Sequence, residues 1–450
     1  MRAPMNRAET TQRRGGRGLR PAATPLEIDA GDASYVDEDD RTVSKSILLV
    51  SFFQIALTSF FYTVVIPTSR QYAESLDAPD NFQAYMVGAA ALGGAFMNPV
   101  YRWLLSKSFA GTMHFQLVCM QVGSLLYALA QVADKIELLI VGRLVGGCGS
   151  SVYPIYQYIA EEVGKNHRSE VISMISGFGK SFGFALGPIF AACLAYVDFN
   201  IGKLEVDKET NPGWTVAILC LLQTILVVWV FPRHGSRLIG KPKAEPDLPQ
   251  TSAPVTLKER MLHLGCIGFL VANIAVANAF ISAWQLAATN VVQLKFQWSI
   301  QWSAVLVGGV SFTPAFVSPA LGRLTRSKPN IFQDRGIVLW TAALQLCTSA
   351  LLFDYGASTL AAVAYIVGGL LVFNCFTVLV MFSLSLATKI STVTEVDKTM
   401  SVIGLTTILR ALGFVLGTYL SMNALAATFA AGSLAMLICT LLLHSRLKPM

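Results

Sequence analysis

Three basic residues, Arg143, Lys180 and Arg410, lie inside long apolar stretches of the 450-residue chain. A charge at the centre of a bilayer costs at least about 2.5–3.5 kcal/mol on insertion scales, so it ordinarily faces a bundle interior or a water-filled cavity. The usual compensation is a carboxylate, yet all 27 Asp and Glu fall in the tail, in loops or at helix ends. The five histidines, at 114, 167, 234, 263 and 444, also lie in loops or near ends. Lys180 and Arg410 therefore read as cations whose counter-charge is a mobile anion. Arginine suits a bidentate oxyanion, and lysine acts as a compact point charge. The competing reading satisfies each cation with carbonyls and hydroxyls, Ser169, Ser173 and Ser176 on the lysine's own face among them. Arg143, close in sequence to Asp134 and Glu137, is expected in a structural ion pair.

What must position these residues is a membrane scaffold. The chain is 54% hydrophobic and 14% charged, with a mean hydropathy of +0.55, where a soluble chain carries about a quarter charged residues. Twelve apolar stretches are long enough to cross a hydrocarbon core of about 30 Å. They cover 45–66, 82–105, 113–133, 136–160, 169–196, 213–232, 262–292, 300–321, 335–354, 358–387, 398–421 and 423–444. At 1.5 Å per residue, Lys180 and Arg410 fall near the middle of the fifth and eleventh spans. The expected fold is an all-α membrane protein of twelve transmembrane helices. Its domains would be a cytoplasmic tail (1–44), a six-helix half (45–232), a Pro-rich linker (233–261) and a second six-helix half (262–445).

With the N-terminus inside, the inside loops and C-terminus hold 18 Lys and Arg, against 5 in the outside loops. That bias predicts both termini in the cytoplasm. It also accounts for the net charge of +7 without nucleic acid as a partner. Vacuolar, lysosomal and plasma membranes stay open as locations.

The two cations are linked by an internal repeat. "KSFGFALGP" at 180–188 matches "RALGFVLGT" at 410–418, aligning Lys180 with Arg410, Gly183 with Gly413 and Gly187 with Gly417. "AFMNP" at 95–99 pairs with "AFVSP" at 315–319, and "VGG" at 145–147 with 367–369. The three offsets are nearly equal, so spans six apart correspond. Six is even, so the halves share an orientation, the parallel-repeat arrangement of many carriers, which place substrate at the midplane between halves.

The "GKS" at 179–181 does not extend to a phosphate-cradling GxxxxGK[ST] loop, since Met174 stands where glycine is needed. Gly179, Gly183 and Gly187 instead form a small-residue ridge for close helix packing, with Pro188 able to bend the helix. Gly142, Gly146 and Ser150 repeat that spacing in the fourth span. Further polar candidates for solute contact are Gln54, Tyr156, Gln157, Asn278, Trp284, Gln285 and Asn374. For each of them an interhelical hydrogen bond is an equal alternative. The eight cysteines are scattered singly with no CxxC pair, and no nucleophile–base set or metal cluster is visible. Neither an enzymatic activity nor a cofactor is expected.

Two parallel six-span halves resemble the major facilitator superfamily. "GGAFMNPVYRWLLSKSF" stands at the family's GxLaDrxGrk motif, with Asn98-Pro99 in place of its acidic position. "GRLVGGCGSS" at 142–151 resembles the RxxxGxG stretch, with Arg143 as its arginine, and "GFALGP" at 183–188 resembles the fifth-span proline-glycine motif. Within that superfamily, "YQYIAEEV", "LKFQWSIQWSAVL" and "ILRALG" look like the branch of SPX-type vacuolar phosphate transporters and their lysosomal relatives. With a tail of about 44 residues, no SPX domain is expected. Arg410 falls on that branch's eleventh-span arginine, while Tyr156 and Gln157 occupy fourth-span positions where phosphate carriers hold paired arginines.

The residues and the resemblance together predict a monomeric secondary transporter of a small anionic solute, working by alternating access. Lys180 and Arg410 would bind the solute, and Arg143, Gly183, Gly187, Pro188, Gly413, Gly417, Asn98 and Pro99 would have structural or gating roles. An organellar anion channel, a non-transporting sensor or scaffold, and a neutral sugar or lipid-like solute remain open alternatives.

Overall fold

Inside lipid, every backbone N–H and C=O must be satisfied within the protein, which leaves the helix as the local structure for runs this apolar. The computed structural model is helical almost throughout and describes residues 43–79, 81–201, 204–231 and 257–447. The expected tail up to residue 42 and the expected linker between 232 and 256 lie outside the described residues.

In chain order the helices are α1 (Lys45–Thr63), α2 (Ser69–Ser75), α3 (Phe82–Phe96), α4 (Asn98–Leu105), α5 (Phe109–Ala128), α6 (Ala130–Ala133), α7 (Glu137–Cys148), α8 (Tyr153–Glu162), α9 (Lys165–Ile172) and α10 (Gly179–Leu194). After a short antiparallel ribbon, β1 (Phe199–Ile201) with β2 (Leu204–Val206), comes α11 (Asn211–Val230). The second set is α12 (Leu257–Leu294), α13 (Ile300–Phe312), α14 (Pro314–Ser327), α15 (Asp334–Ser349), α16 (Thr359–Ile390), α17 (Val393–Leu405), α18 (Ile408–Tyr419) and α19 (Met422–Leu443).

Among the described residues, ten helical segments are long and apolar enough to cross a membrane. The other two expected spans correspond to α3–α4, interrupted at Met97, and to α5, which carries His114, Gln116 and Gln121. The outer surface is apolar: Ile218, Leu221, Leu222, Ile225, Val228 and Trp229 on α11 are all exposed. An exposed stripe of that size suits lipid rather than water.

The helices that hold the cations are interrupted one turn before them. A π-helical turn, Ser173–Phe178, joins α9 to α10 just ahead of Lys180. At the repeat-related place, α17 ends at Leu405 and α18 begins at Ile408, just ahead of Arg410. Such breaks often mark functional hinges. α10 itself continues through Pro188 to Leu194, so the interruption precedes the lysine rather than following the proline.

The glycine ridges explain how these helices are held. A Cβ on Gly183 would come within 2.0 Å of the Ala56 carbonyl oxygen, and one on Gly187 within 2.2 Å of Thr63 Oγ1, both on α1. In the second set, Gly413 and Gly417 approach the carbonyls of Ala279 and Ala283 on α12 in the same way, at 2.1 and 2.4 Å. Cation-bearing α10 thus lies against α1, and cation-bearing α18 against α12. The two sets meet where α3 packs on α18, α10 on α13, and α14 on the π-helical turn.

Candidate functional site

The close packing of α10 on α1 and of α18 on α12 turns Lys180 and Arg410 toward the same interior cavity. Its walls include Thr58, Ser59 and Tyr62 from α1, Ser150 and Tyr156 from the α7–α8 region, Asn278 from α12 and Thr407 beside α18. Both cations are more than nine-tenths buried, Lys180 at 8% exposed and Arg410 at 6%. The walls close to about 20 Å³, room for about one water-sized sphere.

Aromatic rings rather than carboxylates surround the charges. Lys180 Nζ lies 5.3 Å from the centre of the Tyr156 ring. The Arg410 guanidinium carbon lies 4.4 Å from the Tyr62 ring and 5.2 Å from that of Phe184. A ring face offers a desolvated cation its quadrupole without neutralising it. Arg410 Nε donates to Ser282 Oγ at 3.1 Å, while its Nη2 has no hydrogen-bond partner among the described residues. The ring positions are fixed in turn. Tyr62 and Ser150 share a hydroxyl hydrogen bond of 2.7 Å, and Ser176 donates to the Tyr156 hydroxyl at 2.7 Å. Among the described residues, no carboxylate pairs with Lys180 or Arg410.

The expected contact residues divide. Lys180, Arg410, Tyr156 and Asn278 share the cavity. Gln157, one residue beyond Tyr156, turns along α8 and hydrogen-bonds Glu161. Asn374 Nδ2 bonds Thr313 Oγ1 at 2.5 Å, bracing the junction of α13 and α14. Trp284 and Gly417 line a different pocket, of about 250 Å³, at the other end of α12. Gln54 and Gln285 are fully buried, with neither amide atom partnered among the described residues, and they do not line the cavity.

The hydroxyl neighbours expected for Lys180 are otherwise engaged. Ser169 joins Asp334 and Ser385, Ser173 bonds the Glu170 carbonyl, and Ser176 bonds Tyr156. Arg143 forms no ion pair among the described residues. It donates from Nη1 to the Phe61 carbonyl at 2.7 Å and stacks 4.1 Å from the Phe61 ring centre. The correction has a simple cause: Arg143 points across the helix contact toward α1, where a carbonyl and a ring are within reach. Asn98 opens α4 with Pro99 behind it, accepts from Ser151 Oγ at 2.9 Å, and packs against Gly404 of α17.

Sequence reasoning missed Thr58, Ser59, Tyr62, Ser150, Ser282 and Thr407. Hydroxyls are common in membrane helices and carry no charge cost that would single them out. The spacing of Thr58, Ser59 and Tyr62, which sets the three hydroxyls along one side of the first span, was the available signal.

The face of the membrane where α1 begins, here the proximal face, is tied by polar contacts between the two sets. Arg102 pairs with Asp397, which also accepts from the Tyr153 hydroxyl at 3.1 Å. Arg326 pairs with Glu170 at 2.8 Å. Asp334, 7% exposed, accepts from Lys389 at 2.9 Å and from Ser169 and Ser385. Arg168 donates to the Thr388 carbonyl at 2.9 Å. At the distal face the hydroxyls of Tyr85 and Tyr419 meet at 3.1 Å.

Known proteins resemble this chain in sequence and in fold. An SPX domain-containing membrane protein of Arabidopsis thaliana is 26% identical over 413 residues, covering 80% of this chain and 56% of that protein. A second, from Oryza sativa subsp. indica, is 28% identical over 209 residues, 46% of this chain and 29% of that one. The chain thus spans about half the length, or less, of these curated relatives. Two solved structures share the fold. The human organic anion transporter MFSD10 superposes with a TM-score of 0.58 at 16% identity, covering 88% of this chain and 99% of that one. The transporter FucP, in its outward conformation, gives 0.60 at 15% identity, covering 88% and 98%. The sequence profile of the Major Facilitator Superfamily matches residues 48–418. A match running from the first helix to the cation-bearing α18 covers most of the chain, and it makes this protein a member of the Major Facilitator Superfamily, related to its SPX-domain-containing membrane branch.

Proposed function

We propose that this secondary carrier moves a small anionic solute by alternating access, binding it between Lys180 and Arg410. One observation carries the reading: two buried cations on repeat-related helices face a single cavity without a carboxylate partner among the described residues. An anion entering that cavity supplies the missing counter-charge, so its binding energy rises as the site closes and sheds water. The fold accommodates such solutes, since MFSD10 is described as an organic anion transporter.

The same electrostatics suggest exchange rather than free return of the carrier. Without its anion, the closed cavity holds two desolvated positive charges, which penalises reorientation. The proximal contacts at Asp397, Glu170 and Asp334 would part as the cavity opens to that face, while the breaks before Lys180 and Arg410 absorb the bend. The two six-helix halves (45–232 and 262–445) are the bodies that rock. The bias in lysine and arginine supports a cytoplasmic proximal face. A single chain supplies every wall of the cavity, which supports a monomeric unit.

The test is counterflow uptake by protein reconstituted in liposomes, with phosphate, chloride, organic anions, amino acids and sugars as solutes. At least one anion should exchange, and Lys180→Gln and Arg410→Gln should each reduce that exchange about tenfold or more, in proportion to a lost charge-assisted contact. Unaltered exchange in both variants would overturn the anion site.

A further inference from the structure

A second basic cavity lies at the proximal face, apart from the central one. It encloses about 430 Å³ between α9 on one side and the ends of α14, α15 and α16 on the other. Arg326, Arg335 and Lys389 line it, with Asp334 as its one acidic wall residue, and Glu170 behind Arg326 leaves a local excess of one positive charge. Asp334 is already satisfied by Lys389, Ser169 and Ser385, so it does not stand as a free negative charge against an entering anion. The two arginines keep donor capacity. Of five N–H groups each, Arg326 commits one to Glu170, while Arg335 commits one to Gln333 and one to the His444 carbonyl. Phe332 and Pro329 add an apolar wall.

We propose that this cavity binds a small molecule or headgroup carrying two or more phosphoryl groups. Guanidinium forks match phosphoryl oxygens in geometry and so favour phosphoryl groups over spherical chloride, with Arg335 supplying the local excess of positive charge. The volume exceeds what a single phosphate fills and lies in the range of ordinary ligand pockets. Asn166 and Ser169 come from the α9 side, whereas the three cations come from α14, α15 and α16. A ligand spanning the cavity therefore holds α9 against the other set and favours the state in which the proximal face is closed. By linkage, it slows transport without competing for the central site.

This inference does not rest on the anion reading of Lys180 and Arg410. The experiment uses full-length purified Lys180→Gln protein, in which the central site is disabled, so the two readings fail separately. Calorimetric titrations use pyrophosphate, inorganic phosphate and a short-chain phosphoinositide bisphosphate, with sodium chloride at matched ionic strength as the control. Pyrophosphate or the phosphoinositide should bind more tightly than inorganic phosphate. Binding by pyrophosphate identifies a soluble ligand, and binding by the phosphoinositide alone identifies a lipid headgroup. Arg335→Gln should weaken that binding about tenfold. Asn166→Asp, which adds one negative charge at an exposed position without changing size, should also weaken it and keeps the test open if the arginine variant fails to fold. Heats no larger than those of the chloride control, or identical affinity in a folded Arg335→Gln or Asn166→Asp protein, would overturn the proposal.

Discussion

The guanidinium of Arg410 lies 4.4 Å from the centre of the Tyr62 ring, and the hydroxyl of that ring is bonded to Ser150 at 2.7 Å. One tyrosine thus connects α18, α1 and the break between α7 and α8. Its ring and its hydroxyl do different work. A desolvated cation–ring contact contributes up to about 2 kcal/mol, equivalent to about thirtyfold in affinity. Tyr62→Leu should therefore raise the apparent KM for exchange by up to about thirtyfold. Tyr62→Phe, which keeps the ring, should raise it only about two- to twelvefold, the worth of one neutral hydrogen bond. Equal effects from the two substitutions in the uptake assay would show that the ring does not hold Arg410.

Gly183 faces the Ala56 carbonyl so closely that any side chain must push α10 off α1. Gly183→Ala should destabilise the protein by about 1–3 kcal/mol, the usual cost of forced overpacking. Gly265 and Gly309 meet nothing within 4 Å of an added Cβ, so Gly265→Ala and Gly309→Ala should be neutral. Unfolding monitored by tryptophan fluorescence in detergent distinguishes them, and a neutral Gly183→Ala would contradict the ridge.

The proximal contacts should differ in worth according to burial. The side chains of Arg102 and Asp397 are 54% and 33% exposed, whereas those of Lys389 and Asp334 are 16% and 6% exposed. An exposed pair contributes about 0–1 kcal/mol. Removing one partner of a buried pair costs about 3–5 kcal/mol, because the other charge is stranded. Asp334→Ala should lower the unfolding temperature far more than Asp397→Ala, and Asp334→Ala combined with Lys389→Met should recover part of the loss. No recovery in the double variant would count against a stranded charge.

A pH signature should come from the distal loop before α11. Burial pushes the Asp207 carboxyl up, but this is outweighed by hydrogen bonds from Thr210, from Gln131 and within the loop, so its pKa lies below the ordinary carboxylate range. A group with a depressed folded pKa contributes stability above its unfolded pKa, about 3.9, and loses it as the pH falls through the folded value. Melting temperature measured from pH 6 down to pH 3 should fall more steeply for the native chain than for Asp207→Asn. Parallel curves would assign the acid loss to other carboxylates.

Much of the architecture was legible because lipid imposes a strict rule. Runs of apolar residues must become helices, and a charge within them must face inward, so Lys180 and Arg410 stood out as interior residues before any contact was known. Their kinship was legible too, since the repeat is written in the glycines: Gly183 and Gly413 each face a carbonyl, on α1 and α12 respectively. Branch resemblance rested on short motifs, and the similarity to SPX domain-containing membrane proteins agrees with it.

Which polar side chains meet was decided only by tertiary packing. Tyr156 and Gln157 are adjacent in sequence, yet a turn of about 100° per residue sends one to the cavity and the other along α8 to Glu161. Arg143 has acidic residues close by in sequence but finds its partner in Phe61, 82 residues away. Asp334 reads as an ordinary residue at a helix end, and only the meeting of α9, α15 and α16 buries it against Lys389, Ser169 and Ser385. Hydropathy is a property of each segment alone, so it sets which segments enter the membrane and which charges turn inward. Hydrogen bonds and ring contacts depend on the rotation and depth of one helix against another, and those are set by close packing across the whole bundle.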